Sequence, residues 1–141
     1  MRLLGCVPFL CCVLCALSQS QPRARAEFEQ KGGLITVEAD RLFRQSLDLW
    51  VAEGSVVIIY QDMVLNAPRI TYKPVSNEVE AQGPVEIRRG FERLKGSAAR
   101  LNLNTDTGII NDAEGHTEEQ LYIQAKRLIK TGRGKYTAQD G

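Results

Sequence analysis

The stretch Val51-Ala52-Glu53-Gly54-Ser55-Val56-Val57-Ile58-Ile59-Tyr60 decides the fold. Its β-branched residues and closing tyrosine suit a strand and fit a helix poorly. One glycine interrupts it near the start, where a regular strand interior is weakened by glycine. The same skeleton, alanine or glutamine followed by any residue and then glycine, returns three times. The copies are Ala81-Gln82-Gly83, Ala113-Glu114-Gly115 and Gln139-Asp140-Gly141.

A second motif, alanine-x-arginine-leucine or isoleucine, precedes each of these glycines. Its copies are Ala39-Asp40-Arg41-Leu42, Ala67-Pro68-Arg69-Ile70, Ala98-Ala99-Arg100-Leu101 and Ala125-Lys126-Arg127-Leu128. Successive alanines lie 28, 31 and 27 residues apart, and each precedes its glycine by 15, 16, 17 and 16 residues. Two motifs in phase over four copies mark an internal repeat. Each unit reads as an outgoing and a returning strand joined by a polar turn, at 45–48, 73–78, 104–108 and 130–134. About eight strands at this spacing predict an all-β fold of repeated antiparallel strand pairs, with essentially no helix.

The period of two sorts the side chains. Ala52, Gly54, Val56 and Ile58 share one face, as do Ala81, Gly83, Val85 and Ile87, while Glu80, Gln82, Glu86 and Arg88 form a solvated face. The outgoing strands slip. Ile35, Val37 and Ala39 alternate together, but Leu42 follows Ala39 by three and has the opposite parity, and the other copies repeat this. A strand keeps both residues on one face only through a bulge or sharp bend. A bend is therefore expected at each alanine-x-arginine motif, with the arginine outward. Gly54, Gly83 and Gly115 mark either tight corners or a crease that keeps the interior open.

Residues 1–26 read as an export leader: Arg2, an apolar run over 3–17, a polar break, and Ala24-Arg25-Ala26 as the cleavage signal. All four cysteines (Cys6, Cys11, Cys12, Cys15) fall in the apolar run, so the domain expected over 27–141 has no disulfide and no cysteine metal site. Of 18 basic residues three lie in the leader, leaving 15 against 17 acidic, a balance that makes no case for nucleic acid.

Catalytic material is scarce. His116 is the one histidine and reads as a surface residue beside a turn, with no second ligand for a metal. No serine stands in a G-x-S-x-G elbow, and Gly132-Arg133-Gly134-Lys135 lacks the spacing of a phosphate loop and reads as a hairpin turn. Neither an enzyme nor a cofactor is expected. Function is expected on one of two surfaces: the open edges of the outermost strands, or the interior. The interior candidates are Ile35, Val37, Val56, Ile58, Val85, Ile87, Leu101 and Leu103. They line either a packed core or an apolar trough.

The alternation of Ala39-Asp40-Arg41-Leu42 with Ala52-Glu53-Gly54-Ser55-Val56-Val57-Ile58 resembles the OstA-like repeat of the lipopolysaccharide transport proteins LptA, LptC and the N-terminal domain of LptD. The resemblance covers nearly the whole chain after the leader and weakens in the third and fourth units. It implies a β-jellyroll, or β-taco, in the periplasm, with the lipid A acyl chains of lipopolysaccharide in the interior. It further implies neighbouring Lpt jellyrolls as partners through edge-to-edge strand pairing, and no catalysis. The tail, Leu121 to Leu128 and Tyr136 to Gly141, resembles the closing strands of the LptD N-terminal domain, which implies a chain truncated at Gly141 and an outer-membrane barrel beyond. A stand-alone LptA-like bridge protein and a structural or carbohydrate-binding β roll are the alternatives.

Overall fold

The structure, a computed structural model, describes residues Arg23–Gln139. The apolar run of the expected leader, its cysteines, and Gly141 lie outside the described residues. Ten strands follow in order: β1 (Ala24–Gln30), β2 (Gly33–Ala39), β3 (Arg41–Ser46), β4 (Leu49–Tyr60), β5 (Met63–Lys73), β6 (Glu78–Arg89), β7 (Glu92–Asn102), β8 (Thr107–His116), β9 (Tyr122–Gly132) and β10 (Lys135–Gln139). They form a single antiparallel sheet ordered β1-β2-β4-β5-β6-β7-β8-β9-β10, with β3 also paired to β4. The eight expected strands become ten because the first outgoing strand divides at Asp40 and because β1 precedes it. The residues of β1 overlap the expected cleavage signal and its flank. Their alternation, with Ala24, Ala26 and Phe28 half-buried and Arg25, Glu27 and Glu29 exposed, is that of a one-sided strand.

The sheet doubles back on itself. Arg89 pairs with Glu92 at one end of β7, and Asp106 follows the other end. Eleven residues of straight strand would hold those ends about 35 Å apart. Yet Arg89 Nη1 lies 2.9 Å from Asp106 Oδ2. The fold line is visible in the register, which shifts between Glu53 and Val56, between Asn66 and Arg69, and between Gln82 and Val85. On one side of it lies a first layer, containing β1 and β2, that ends in the turns at 61–62, 90–91 and 117–121. On the other lies a second layer, containing β3 and β10, that ends in the turns at 47–48, 74–77, 103–106 and 133–134.

The two sequence motifs meet at this crease. The backbone N–H of Asp40 donates to the carbonyl of Gly54 at 3.0 Å. Gly54 and Gly83 have φ of +87° and +88°, a region that glycine enters without steric cost. A Cβ on Gly54 would come 2.7 Å from Asp40 Cβ, and one on Gly83 would come 2.8 Å from Pro68 Cγ. The middle residue of the first two alanine-x-arginine motifs thus packs flat on the glycine of the next strand, which is why the two motifs keep phase there. The arginines point outward as expected, and Arg41 and Arg69 flank Glu53 at 3.4 and 2.5 Å.

The third unit departs from the pattern. Gly115 pairs with Leu94, beyond the crease, and is not a fold-line residue. The crease of β8 is at Asp112, whose φ is +51° and whose carboxylate accepts from Ser97 Oγ at 2.6 Å. Aspartate tolerates this conformation through local hydrogen bonding, and the small Ser97 and Ala98 opposite require no glycine. The methyl turned inward there is Ala99, at 3% exposure, and not Ala98.

Candidate functional site

Folding the sheet brings two apolar faces together. In the first layer Val37, Ile58, Leu65, Ile87 and Leu94 stand in cross-strand register as one continuous row. In the second layer Ala52, Ile70, Ala81, Ala99, Ile110 and Leu128 form another. All eight interior candidates, Ile35, Val37, Val56, Ile58, Val85, Ile87, Leu101 and Leu103, are buried in this one cluster. Leu65, Ile70, Tyr72, Val79, Leu94, Ile110 and Leu128 belong to it equally and are fully buried. Period-two alternation from Val85 reaches Val79, but Leu65, Ile70, Tyr72, Ile110 and Leu128 lie on strands with no assigned residue, and Leu94 has the opposite parity to Leu101 because the crease falls between them.

Between packed core and trough, the two layers are in contact. The cavity between them, walled by Met63, Ile87, Leu94, Leu101, Leu103 and Ile110, measures about 10 Å³, the volume of a single water-sized probe. A larger groove of about 640 Å³ runs outside the crease past Ser55, Pro68, Pro84 and Lys95. It lies on the opposite surface from the apolar rows.

The mouth of the interior, where the two sets of turns face each other, is closed differently at its two ends. At the β1 end Phe28 packs edge-on to Trp50 with centroids 5.3 Å apart, and against Tyr72 at 5.0 Å. Gln30 Nε2 reaches across to Tyr72 Oη and to the carbonyl of Pro74. Tyr72 Oη donates in turn to Asn77 Oδ1 at 2.7 Å. Burial pushes the Tyr72 phenol up to about 12, because an anion there would lose its water.

At the β10 end the closure is ionic. Arg89, only 5% exposed, bridges Asp106 at 2.9 Å and Asp62 at 3.2 Å. Arg133 reaches over the mouth to Asp62 at 2.7 Å and to Glu118 at 3.8 Å. Lys130 Nζ sits 3.3 Å from Asp106 and 5.0 Å from the centre of the Tyr136 ring, whose hydroxyl donates to the buried Glu92. Burial works against charge on Asp62. The hydrogen bond from Arg133 and the charges of Arg133 and Arg89 outweigh it and hold that carboxyl below the usual range. This cluster was not singled out from the sequence, although parity is consistent with it. Arg89 continues the inward set of Val85 and Ile87, and Lys130 continues that of Leu128.

His116 is exposed at the end of β8, edge-on to Tyr122 at 5.4 Å, and Arg133-Gly134 forms the β9–β10 turn. Among the described residues no three His, Cys, Asp or Glu side chains gather as metal ligands.

No family model matches the sequence. The LPS-assembly protein LptD of Aromatoleum aromaticum is 27% identical over 93 residues, which are 63% of this chain and 12% of that protein. LptD of Nitrosomonas europaea is 31% identical over 81 residues, 55% of this chain and 11% of that protein. Over 55–63% of its length this chain is thus similar to LptD proteins at 27–31% identity. The crystal structure of LptH from Pseudomonas aeruginosa, described as the LptA-homologous periplasmic component of a lipopolysaccharide transport device, superposes with a TM-score of 0.61. It covers 76% of this chain and 82% of its own at 17% identity, a likeness of fold. The creased ten-stranded sheet therefore has the fold of an LptA-like β-jellyroll. The chain spans about an eighth of the length of the LptD proteins that it matches.

Proposed function

We propose that this jellyroll carries lipopolysaccharide through the periplasm, with the lipid A acyl chains between its two layers, as the N-terminal domain of an LptD-like protein. The observation that carries the reading is the pair of continuous apolar rows facing each other inside a chain that aligns with LptD. Each methylene moved from water into such an interior gains about 0.8 kcal/mol, so several acyl chains can drive the layers apart. The sugars and phosphates stay at the mouth, in water. Residues 1–26 serve as the export leader and 27–141 as the jellyroll, ahead of an outer-membrane barrel. Cleavage after Ala26 would leave β1 with Glu27–Gln30 to pair with Gly33–Thr36. The free edges of β1 and β10, at the two ends of the sheet order, are the surfaces that would pair with neighbouring Lpt jellyrolls.

A stand-alone LptA-like role is the second reading, favoured by the extent of the match to LptH, 82% of which is covered. Both readings put the same ligand in the same place. A photo-crosslinking residue at Ile87 or Leu103, the most accessible of the eight interior positions, is expected to capture lipopolysaccharide in cells that make it. The same residue at Glu86, on the outer face, is expected not to. Equal capture at Glu86 and at the interior positions would remove the reading.

A further inference from the structure

We propose that Arg89, Asp106, Asp62 and Arg133 form an ionic latch that keeps the β10 end of the mouth shut and that this end is the one that parts to let hydrocarbon pass. The proposal rests on the acyl-chain reading of the interior given above.

Three observations point to this end and not the other. First, the contacts across the mouth here are charge pairs, whereas at the β1 end they are aromatic rings and neutral hydrogen bonds. Parting the β1 end would expose Phe28, Trp50 and Tyr72 to water, at the full cost of their apolar area. Parting the β10 end returns Arg89, Lys130 and Glu92 to water, and hydration of those charges offsets much of the lost pairing. Second, the latch is incompletely satisfied when shut. Arg89 Nε is buried beside Asp62 yet makes no hydrogen bond, so opening forfeits less than a full set of contacts. Third, what lies behind the latch is apolar. The cavity beneath Arg89, Asp106 and Lys130 is walled by Ile87, Leu94, Leu101 and Ile110, and Phe91, between Arg89 and Glu92, stands 75% exposed at the turn tip. Hydrocarbon arriving at this end meets Phe91 and then the inner row.

The test is the rate at which the exported protein takes up N-phenyl-1-naphthylamine, an uncharged apolar fluorophore insensitive to the charge changes made. Replacing both latch acids (Asp62→Asn with Asp106→Asn) is expected to speed uptake about tenfold, the equivalent of one or two partly buried ion pairs. Raising salt from about 20 mM to about 500 mM, which shortens electrostatic reach several-fold, is expected to speed uptake by the unaltered protein and not by the double variant. Arg133→Gln removes only a half-exposed partner, cannot strand a buried charge, and is expected to give a smaller acceleration in the same direction. If the unaltered protein, both variants and the high-salt sample all load at one rate, the latch is overturned while the apolar interior stands. If none of them loads the fluorophore although each remains folded, the acyl-chain reading itself fails and the latch with it.

Discussion

The two ends of the mouth solve one problem with opposite chemistry. At the β1 end Phe28 wedges between Trp50 and Tyr72, and Gln30 and Asn77 complete a neutral network around the Tyr72 hydroxyl. At the β10 end Arg89 and Arg133 hold Asp62 and Asp106 across a thin apolar cavity. Apolar closure is insensitive to ions and gains nothing from water. Ionic closure weakens with salt and is relieved by hydration. The difference teaches that a folded sheet can be hinged along its crease, fixed at one end and openable at the other. A uniformly greasy mouth would lack that polarity.

The comparison breaks most visibly at the aromatic end. Tyr72 is 2% exposed, and Tyr72→Ala removes its packing on Phe28 along with two hydrogen-bond partners. A loss of about 3–5 kcal/mol is expected for a large buried aromatic, measured by urea unfolding. A loss below 1 kcal/mol would show that the β1 end is not the fixed one. A change at the crease bears on both ends together. Gly83→Ala puts a methyl against Pro68 at φ +88°, and about 1–3 kcal/mol of stability is expected to go with it.

The finest test separates ring from hydroxyl. Tyr72→Phe keeps the aromatic packing and is expected to cost about 1 kcal/mol near neutral pH, from the lost bond to Asn77. The phenol is raised in the folded protein to about 12 from 10, so its neutral form is favoured by folding. That contribution is complete below pH 10 and disappears as pH rises through about 12. Unfolding midpoints should therefore fall over this window in the parent protein, and less so in Tyr72→Phe. Identical alkaline limbs would show that another group governs them.

Much of the fold was legible because the repeat wrote it twice. The alanine-x-arginine motif gave the bend through its broken parity, and Gly54 and Gly83 gave the strand that the bend packs against. Gly115 misled because spacing alone cannot distinguish a crease glycine from one opposite Leu94. Strand β1 was hidden by a second meaning of its own residues, since Ala24-Arg25-Ala26 satisfies both a cleavage signal and a one-sided strand. The interior was legible as a face but not as a contact. Alternation assigned Val56 and Val85 inward, yet nothing in the order of residues states that the layers touch. The ionic end was least legible of all. Arg89 and Asp106 lie 17 residues apart, at opposite ends of β7. Only a sheet already folded makes them neighbours, and a charged residue at a strand end otherwise reads as solvated.

The unequal mouth is tested most directly by amide hydrogen exchange, followed by mass spectrometry at low and at high salt. Peptides covering 103–107 and 130–136 are expected to exchange several-fold faster at high salt, while those covering 26–30 and 70–77 stay as they were. Equal acceleration at both ends, or none at the β10 end, would contradict the account.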